Sequence, residues 1–161
     1  MNSVDTKIIW CDYTNADHLN AVGELLNAYI ADEMGGGEPL TKLQQQRLTD
    51  GLGQHPASIV LLALVDEAFC GLLVAFENFS TFKVSPMINI HDLIVLPEYR
   101  GKGIGRRLLQ AVVDIGEQKN CNRITLEVRK DNLTAQQLYK NMGFADTDPP
   151  MYYWRRDVVT L

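Results

Sequence analysis

The stretch from Ile88 to Leu109, INIHDLIVLPEYRGKGIGRRLL, constrains this chain more than any other. An apolar strand, Met87 to Leu96, is stopped by Pro97 and followed by a glycine-rich turn. A helix then runs from Gly103 to about Lys119, with Ile104, Leu108, Ala111, Val112 and Ile115 as its apolar stripe. Beyond it, Arg123 to Val128 alternates as a strand does: Ile124, Leu126 and Val128 on one face, Thr125, Glu127 and Arg129 on the other. Strand, helix, strand in this order predicts a right-handed crossover and a parallel pair. The turn itself is electrostatically odd. Arg100, Lys102, Arg106 and Arg107 crowd a helix start, where the dipole is already positive. Gly101, Gly103 and Gly105 add a cost in backbone entropy. Both oddities are explained by an anion seated on exposed backbone N–H groups, which the missing side chains allow to come close.

The remaining elements fit around that crossover. Ile8 and Ile9 lie in a short strand ending near Tyr13. Thr14 with Asp17 resembles a capping box, and Leu19, Val22, Leu26, Tyr29 and Ile30 share one helical face. This helix ends before Gly35-Gly36-Gly37, the segment best able to move. A polar, Gln-rich helix from near Thr41 stops before His55-Pro56. Ile59 to Val65 is continuously apolar and reads as a buried central strand; Asp66-Glu67 turns it into an antiparallel partner, Phe69 to Phe79. Asn132 opens a last helix, which closes at Gly143 in the left-handed position. A final pair of strands is expected from Phe144 onward, around Asp148-Pro149-Pro150. The fold class is α/β (α+β), one domain over residues 1–161, without linker or repeat.

Composition narrows the function. The chain is 46% hydrophobic and 22% charged, ordinary for a globular domain. No apolar run approaches the roughly 20 residues that span a bilayer, and the N-terminus lacks the pattern of a secretory signal. Cys11, Cys70 and Cys121 are odd in number and far apart, which suggests neither a metal site nor a disulfide framework. Buried thiols in a reducing cytoplasm are expected instead. A net charge of −5 argues against nucleic acid as the main partner and suits a cationic substrate.

Three phosphate-binding patterns can be compared with the turn. A Walker loop, GxxxxGK[ST], is absent. A dinucleotide fingerprint fails because its third glycine position is Arg106 or Leu108, and because Pro97 to Arg100 separates strand from loop. The remaining pattern, RxxGxG, is met by Arg100-Gly101-Lys102-Gly103-Ile104-Gly105. It resembles the acyl-CoA pyrophosphate loop of the GCN5-related N-acetyltransferases, the GNAT superfamily. The surroundings extend the resemblance. Leu93-Ile94-Val95-Leu96-Pro97 matches the family's strand end, and Asn132, Tyr139 and Gly143-Phe144 match its following helix. The likeness is dense from about Asn89 to Phe144.

The resemblance implies a mixed, mostly antiparallel sheet of six to seven strands with a splayed parallel pair and about four helices. It implies acetyl-CoA as co-substrate, no metal, and a small-molecule amine as acceptor. A protein lysine or N-terminus is the alternative acceptor, and a CoA-binding module without turnover the alternative class. Leu93, Ile94 and Val95 would lend backbone groups to pantetheine. Arg100, Gly101, Lys102, Gly103, Ile104, Gly105 and Arg106 would cradle the pyrophosphate. Asn132 would bond pantetheine, Ala135 would allow close approach, and Tyr139 would protonate the leaving thiolate. The last-named tyrosine could otherwise simply pack on its helix. Candidates for the base that deprotonates the amine are His91, Asp92 and Glu77. The segment Ile90-His91-Asp92-Leu93 resembles the diamine and polyamine acetyltransferase branch, with His where that branch has Glu. A bulge expected in this strand leaves open which of His91 and Asp92 faces substrate. Glu33, Glu77 and His91 are candidate acceptor contacts; Asp32 and Glu33 are otherwise solvated acids. Tyr152, Tyr153 and Trp154 could line the pocket or a homodimer contact.

Overall fold

The computed structural model describes residues 5–159. Five strands form one sheet in chain order: β1 (Thr6–Trp10), β2 (Ser58–Val65), β3 (Ala68–Ser80), β4 (Ser85–Val95) and β5 (Ile124–Leu126). Pairs β1–β2, β2–β3 and β3–β4 are antiparallel, and β4–β5 is parallel, as the crossover requires. Helices α1 (Ala16–Ile30) and α2 (Lys42–Gln54) cover one face, and α3 (Ile104–Gln118) the other; α4 (Leu133–Asn141) follows β5.

Strand β2 shows why an unbroken apolar run is a centre strand. Ile59, Leu61, Ala63 and Val65 belong to the α3-side core, while Val60, Leu62 and Leu64 belong to the α1-side core. Each face is packed, so alternation has nothing polar to alternate with. Helix α3 buries Ile104, Leu108 and Val112 as expected, and Leu109 besides. Helix α2 buries only Thr49 and Leu52, in keeping with its polar sequence, and Thr41 with Gln44 forms a reciprocal capping box.

The structure corrects three local expectations. The α1 cap is Asn15, whose side chain accepts from the Asp17 and His18 amides; Thr14 instead bonds Asp12. Strand β5 ends at Leu126 rather than Val128. The sheet has five strands rather than six or seven, and no strand forms after Leu126 among the described residues. Pro149 and Pro150 explain part of this, since neither has an N–H to give a ladder. Met151, Tyr152, Tyr153 and Trp154 are exposed. All three cysteines are free, and burial pushes the Cys11 thiol up to about 11. No helix among the described residues is long and apolar enough to cross a membrane.

Candidate active site

The site begins where β4 and β5 part. Their register runs Ile88↔Ile124, Asn89↔Thr125, Ile90↔Leu126, and stops there. Strand β4 continues five residues further, so among the described residues the edge from His91 to Val95 faces no neighbouring strand on that side. A bulge falls at the same place. Val74 pairs with Asp92 and Ala75 with Ile90, which leaves His91 as the extra residue. The bulge resets which face each side chain takes. Ile88 and Ile90 lie in the α3-side core, whereas Leu93 and Val95 pack on that side after the bulge and Ile94 joins the α1-side core.

His91 and Asp92 therefore look to the same face. Asp92 opposes Val74, an α1-side residue, and the His91 ring meets the Phe76 ring edge-on at 4.9 Å. Phe76 in turn meets His55, at 4.8 Å, so the second histidine supports the first through one phenyl ring. His91 is exposed and Asp92 half-buried. Burial raises the Asp92 carboxyl above its ordinary value, and the nearby His91 opposes this. No hydrogen bond or ion pair reaches that carboxylate among the described residues, so it is not held by the backbone near the splay. Glu77 lies elsewhere. It opposes Ile88 on the α3 side of the sheet and is bridged to Lys119 at 2.7 Å. The sheet thus separates it from His91 and Asp92.

Tyr139 comes to the open edge from α4. It packs with the α3-side core and touches Phe144 at 6.0 Å between ring centroids. Burial raises its phenol above the ordinary value, and Tyr29 of α1 adds to the rise. Asn132 caps α4, its side-chain oxygen accepting from the Ala135 amide at 3.1 Å, and Ala135 is half-buried in the first turn. Sequence reasoning missed a polar cluster across β4 and β5: the Asn89 amide donates to Thr125 Oγ1 at 3.0 Å and Glu127 Oε1 at 3.4 Å.

The glycine turn resolves into separate jobs. Gly101 and Gly103 have φ of 75° and 82°, which an L side chain rarely adopts, and a Cβ on either would meet nothing within 4 Å. Both are open backbone, as an anion cradle needs. Gly105 differs: a Cβ there would stand 3.2 Å from Leu138 Cδ2, so this glycine lets α3 pack against α4. The four cations also divide. Arg107 donates to the Thr6 carbonyl at 3.1 Å and ties α3 to β1. Arg100 donates from Nε to the Val95 carbonyl at 2.9 Å and from Nη2 to Asp32 at 2.8 Å. Lys102 lies over the Tyr99 ring at 5.1 Å. Arg106 is exposed and makes no hydrogen bond or ion pair among the described residues. Lys102 and Arg106 are thus the cations left to meet an anion. Asp32 is not a solvated acid, while Glu33 is exposed and lies near Arg129, whose charge it supports.

A glycine cradle that continues into an open strand edge defines a class of protein, one built to hold a long ligand with an anionic end. Residues 22–144 match the family model described as the acetyltransferase (GNAT) family, and the chain belongs to it. It is 28% identical over 138 residues to the uncharacterized N-acetyltransferase YhfO of Bacillus subtilis (strain 168), covering 83% of this chain and 87% of that protein. It is 32% identical over 114 residues to thialysine N-epsilon-acetyltransferase of Bos taurus, covering 65% of this chain and 66% of the relative. The fold matches that of aminoglycoside N-acetyltransferase AAC(6')-Iy in complex with CoA. The TM-score is 0.75 at 19% identity, over 95% of this chain and 96% of that one. The protein is an acetyl-CoA-dependent acetyltransferase that acts on amines.

Proposed function

We propose that the chain transfers acetyl from acetyl-CoA to a primary amine of a small molecule by direct attack, with Asp92 as base and Tyr139 as acid. The observation that carries this reading is the β4 edge from His91 to Val95, left without a strand partner among the described residues, with the half-buried Asp92 on the α1 side of the sheet and Tyr139 packed on the α3 side. The chain's residues fit the co-substrate. Gly101 and Gly103 leave a side-chain-free cradle beside Lys102 and Arg106, suited to a pyrophosphate. Leu93 and Val95 offer backbone on an edge with no strand partner, where an extended pantetheine can lie.

When bound, acetyl-CoA supplies an activated acyl group and a thiolate leaving group. Asp92, half-buried and without a donor on it, accepts the proton that an attacking ammonium must lose. His91 beside it lines the approach. A β4 backbone N–H on the open edge polarises the carbonyl under attack. Tyr139, kept protonated by burial, donates to a thiolate whose conjugate acid has a pKa of about 8.5. Asn132 spends its carbonyl on the α4 cap and keeps its amide N–H groups for the co-substrate. A net charge of −5 and the exposed Glu33 favour a cationic acceptor.

The test is an acceptor screen that detects released CoA thiol. Diamines, polyamines, thialysine, aminoglycosides and amino acids form one arm; lysine peptides and free peptide N-termini form the other. Turnover confined to small amines supports the reading. Turnover confined to peptides refutes the acceptor class, and tight CoA binding with no turnover in either arm refutes the enzymatic reading.

A further inference from the structure

Arg100 opens the RxxGxG motif, yet its guanidinium is turned away to other work. Its Nε–H goes to the Val95 carbonyl at the end of β4, and its Nη2 to Asp32 Oδ2, 68 residues away in sequence. Asp32 sits just past the end of α1, in the segment that leads through the triple glycine to α2. Its other oxygen, Oδ1, accepts from the Met34 amide at 3.0 Å, and its carbonyl accepts from Gly35 and Gly36. Gly35 has no room for a side chain, since a Cβ would stand 1.9 Å from the Tyr29 carbonyl. The base of the segment is closed by Asn27, which exchanges two hydrogen bonds with Leu40 at 2.7 and 3.1 Å. From beyond β5, Arg129 donates to the Met34 carbonyl at 3.4 Å. The segment is therefore tied to both sides of the splay, through Arg100 to β4 and through Arg129 to the chain after β5.

We infer that Asp32 and Arg100 form a latch that positions the 31–37 segment over the gap, and that Arg100 serves acceptor binding rather than the phosphates. This rests on the acetyl-transfer reading above. Three glycines in seven residues give the segment little stiffness of its own. Its geometry has to come from bonds to the frame, and Asp32 receives those bonds on both carboxylate oxygens. Met34, whose carbonyl accepts from Arg129, and the neighbouring Glu33 are what the latch holds in place. In this arrangement the anion loop retains Lys102 and Arg106 for pyrophosphate, so cofactor affinity does not depend on the latch.

The experiment compares wild type with Asp32→Asn, Asp32→Glu and Arg100→Gln. CoA affinity is measured by calorimetry, and kcat and KM with thialysine or whichever screened amine turns over fastest. Thermal melts of each variant confirm folding. Asp32→Asn is expected to raise the amine KM at least five-fold and to leave CoA affinity within two-fold. Asp32→Glu should recover part of the loss, and the double variant that combines Asp32→Asn with Arg100→Gln should be no worse than either single. Hydrogen exchange at residues 34–36 should quicken in Asp32→Asn and Arg100→Gln. CoA affinity falling ten-fold in Arg100→Gln with an unchanged amine KM would overturn the inference, because Arg100 would then be a phosphate ligand. Unchanged KM and unchanged exchange in both single variants would overturn it too. Failure of wild type itself to bind CoA would instead overturn the acetyl-transfer reading.

Discussion

Asp92 is where stability and activity should pull apart. Burial raises its carboxyl and no donor offsets the cost of its charge. In the unfolded chain the same carboxyl titrates near 3.9. Between that value and its raised native value, the native state binds more protons than the unfolded state, so stability falls as pH rises. The loss is complete above the native value and amounts to ~1.4 kcal/mol for each pH unit that separates the two values. An asparagine at this position keeps the shape and never ionises. Asp92→Asn should therefore match wild type in urea unfolding below about pH 4 and exceed it increasingly as the pH rises towards the raised native value, above which the gain levels off. Its rate of thiol release should fall by roughly 10²–10⁴, the usual worth of a positioned base. Unfolding series every half pH unit and single-turnover rates at saturating acetyl-CoA measure both. A variant less stable than wild type at pH 7 would show that the native carboxylate has a stabilising partner, and the argument would fail. A variant with full turnover would remove Asp92 as the base.

Four further outcomes are expected. Tyr139→Phe should lower kcat by about 10²-fold or more while CoA affinity holds, because the phenol makes no hydrogen bond among the described residues on which the cradle depends; calorimetry and stopped-flow thiol release read the two. Gly103→Glu should abolish CoA binding, since it places bulk and negative charge in the open cradle and strains a backbone at φ 82°; retained affinity would contradict the loop assignment. His91→Ala should cost less than ten-fold and keep the acidic limb of the pH–rate profile, because His91 is exposed and rests on Phe76 beside the base. Glu77→Gln should leave turnover with any amine unchanged and shift stability by less than about 1 kcal/mol, as an exposed bridge to Lys119 on the far face allows.

The crossover was the most legible part of the chain. The stripe of α3, the stop at Pro97 and the Asn132 cap all act within a few residues, so sequence carries them directly. The doubly buried β2 was legible for a similar reason, as an apolar run too short for a helix. The contacts that escaped notice join residues far apart. Arg100 to Asp32 and Arg129 to Met34 depend on how the end of α1 lands against the splay, and no local pattern encodes that landing. Glu77 is a different case. Its residue type suited the acceptor, but its parity along β3 puts it with Ala75 and Ile88 on the α3 side. The Pro149-Pro150 pair is equally visible in the sequence, and its missing donors weigh against the terminal strand pair expected there.

The cluster of cations at a helix start can now be argued residue by residue. Four like charges at the positive end of α3 would repel one another and the dipole. Two of them are engaged locally: Arg107 donates to a β1 carbonyl, and Arg100 donates to a carbonyl and pairs with a carboxylate. That leaves two charges facing the side-chain-free cradle, close to what a pyrophosphate requires. The one-residue bulge does the corresponding work on the strand before it. Without His91 as an extra residue, strict alternation would turn Asp92 to the α3 side with Ile88 and Ile90 and bury a charge in an apolar core. With it, the carboxylate lies on the α1 side of the sheet while Leu93 and Val95 keep their packing on α3. The bulge, sitting where β4 and β5 part, thus sets which side of the sheet Asp92 takes at the point where the open edge begins.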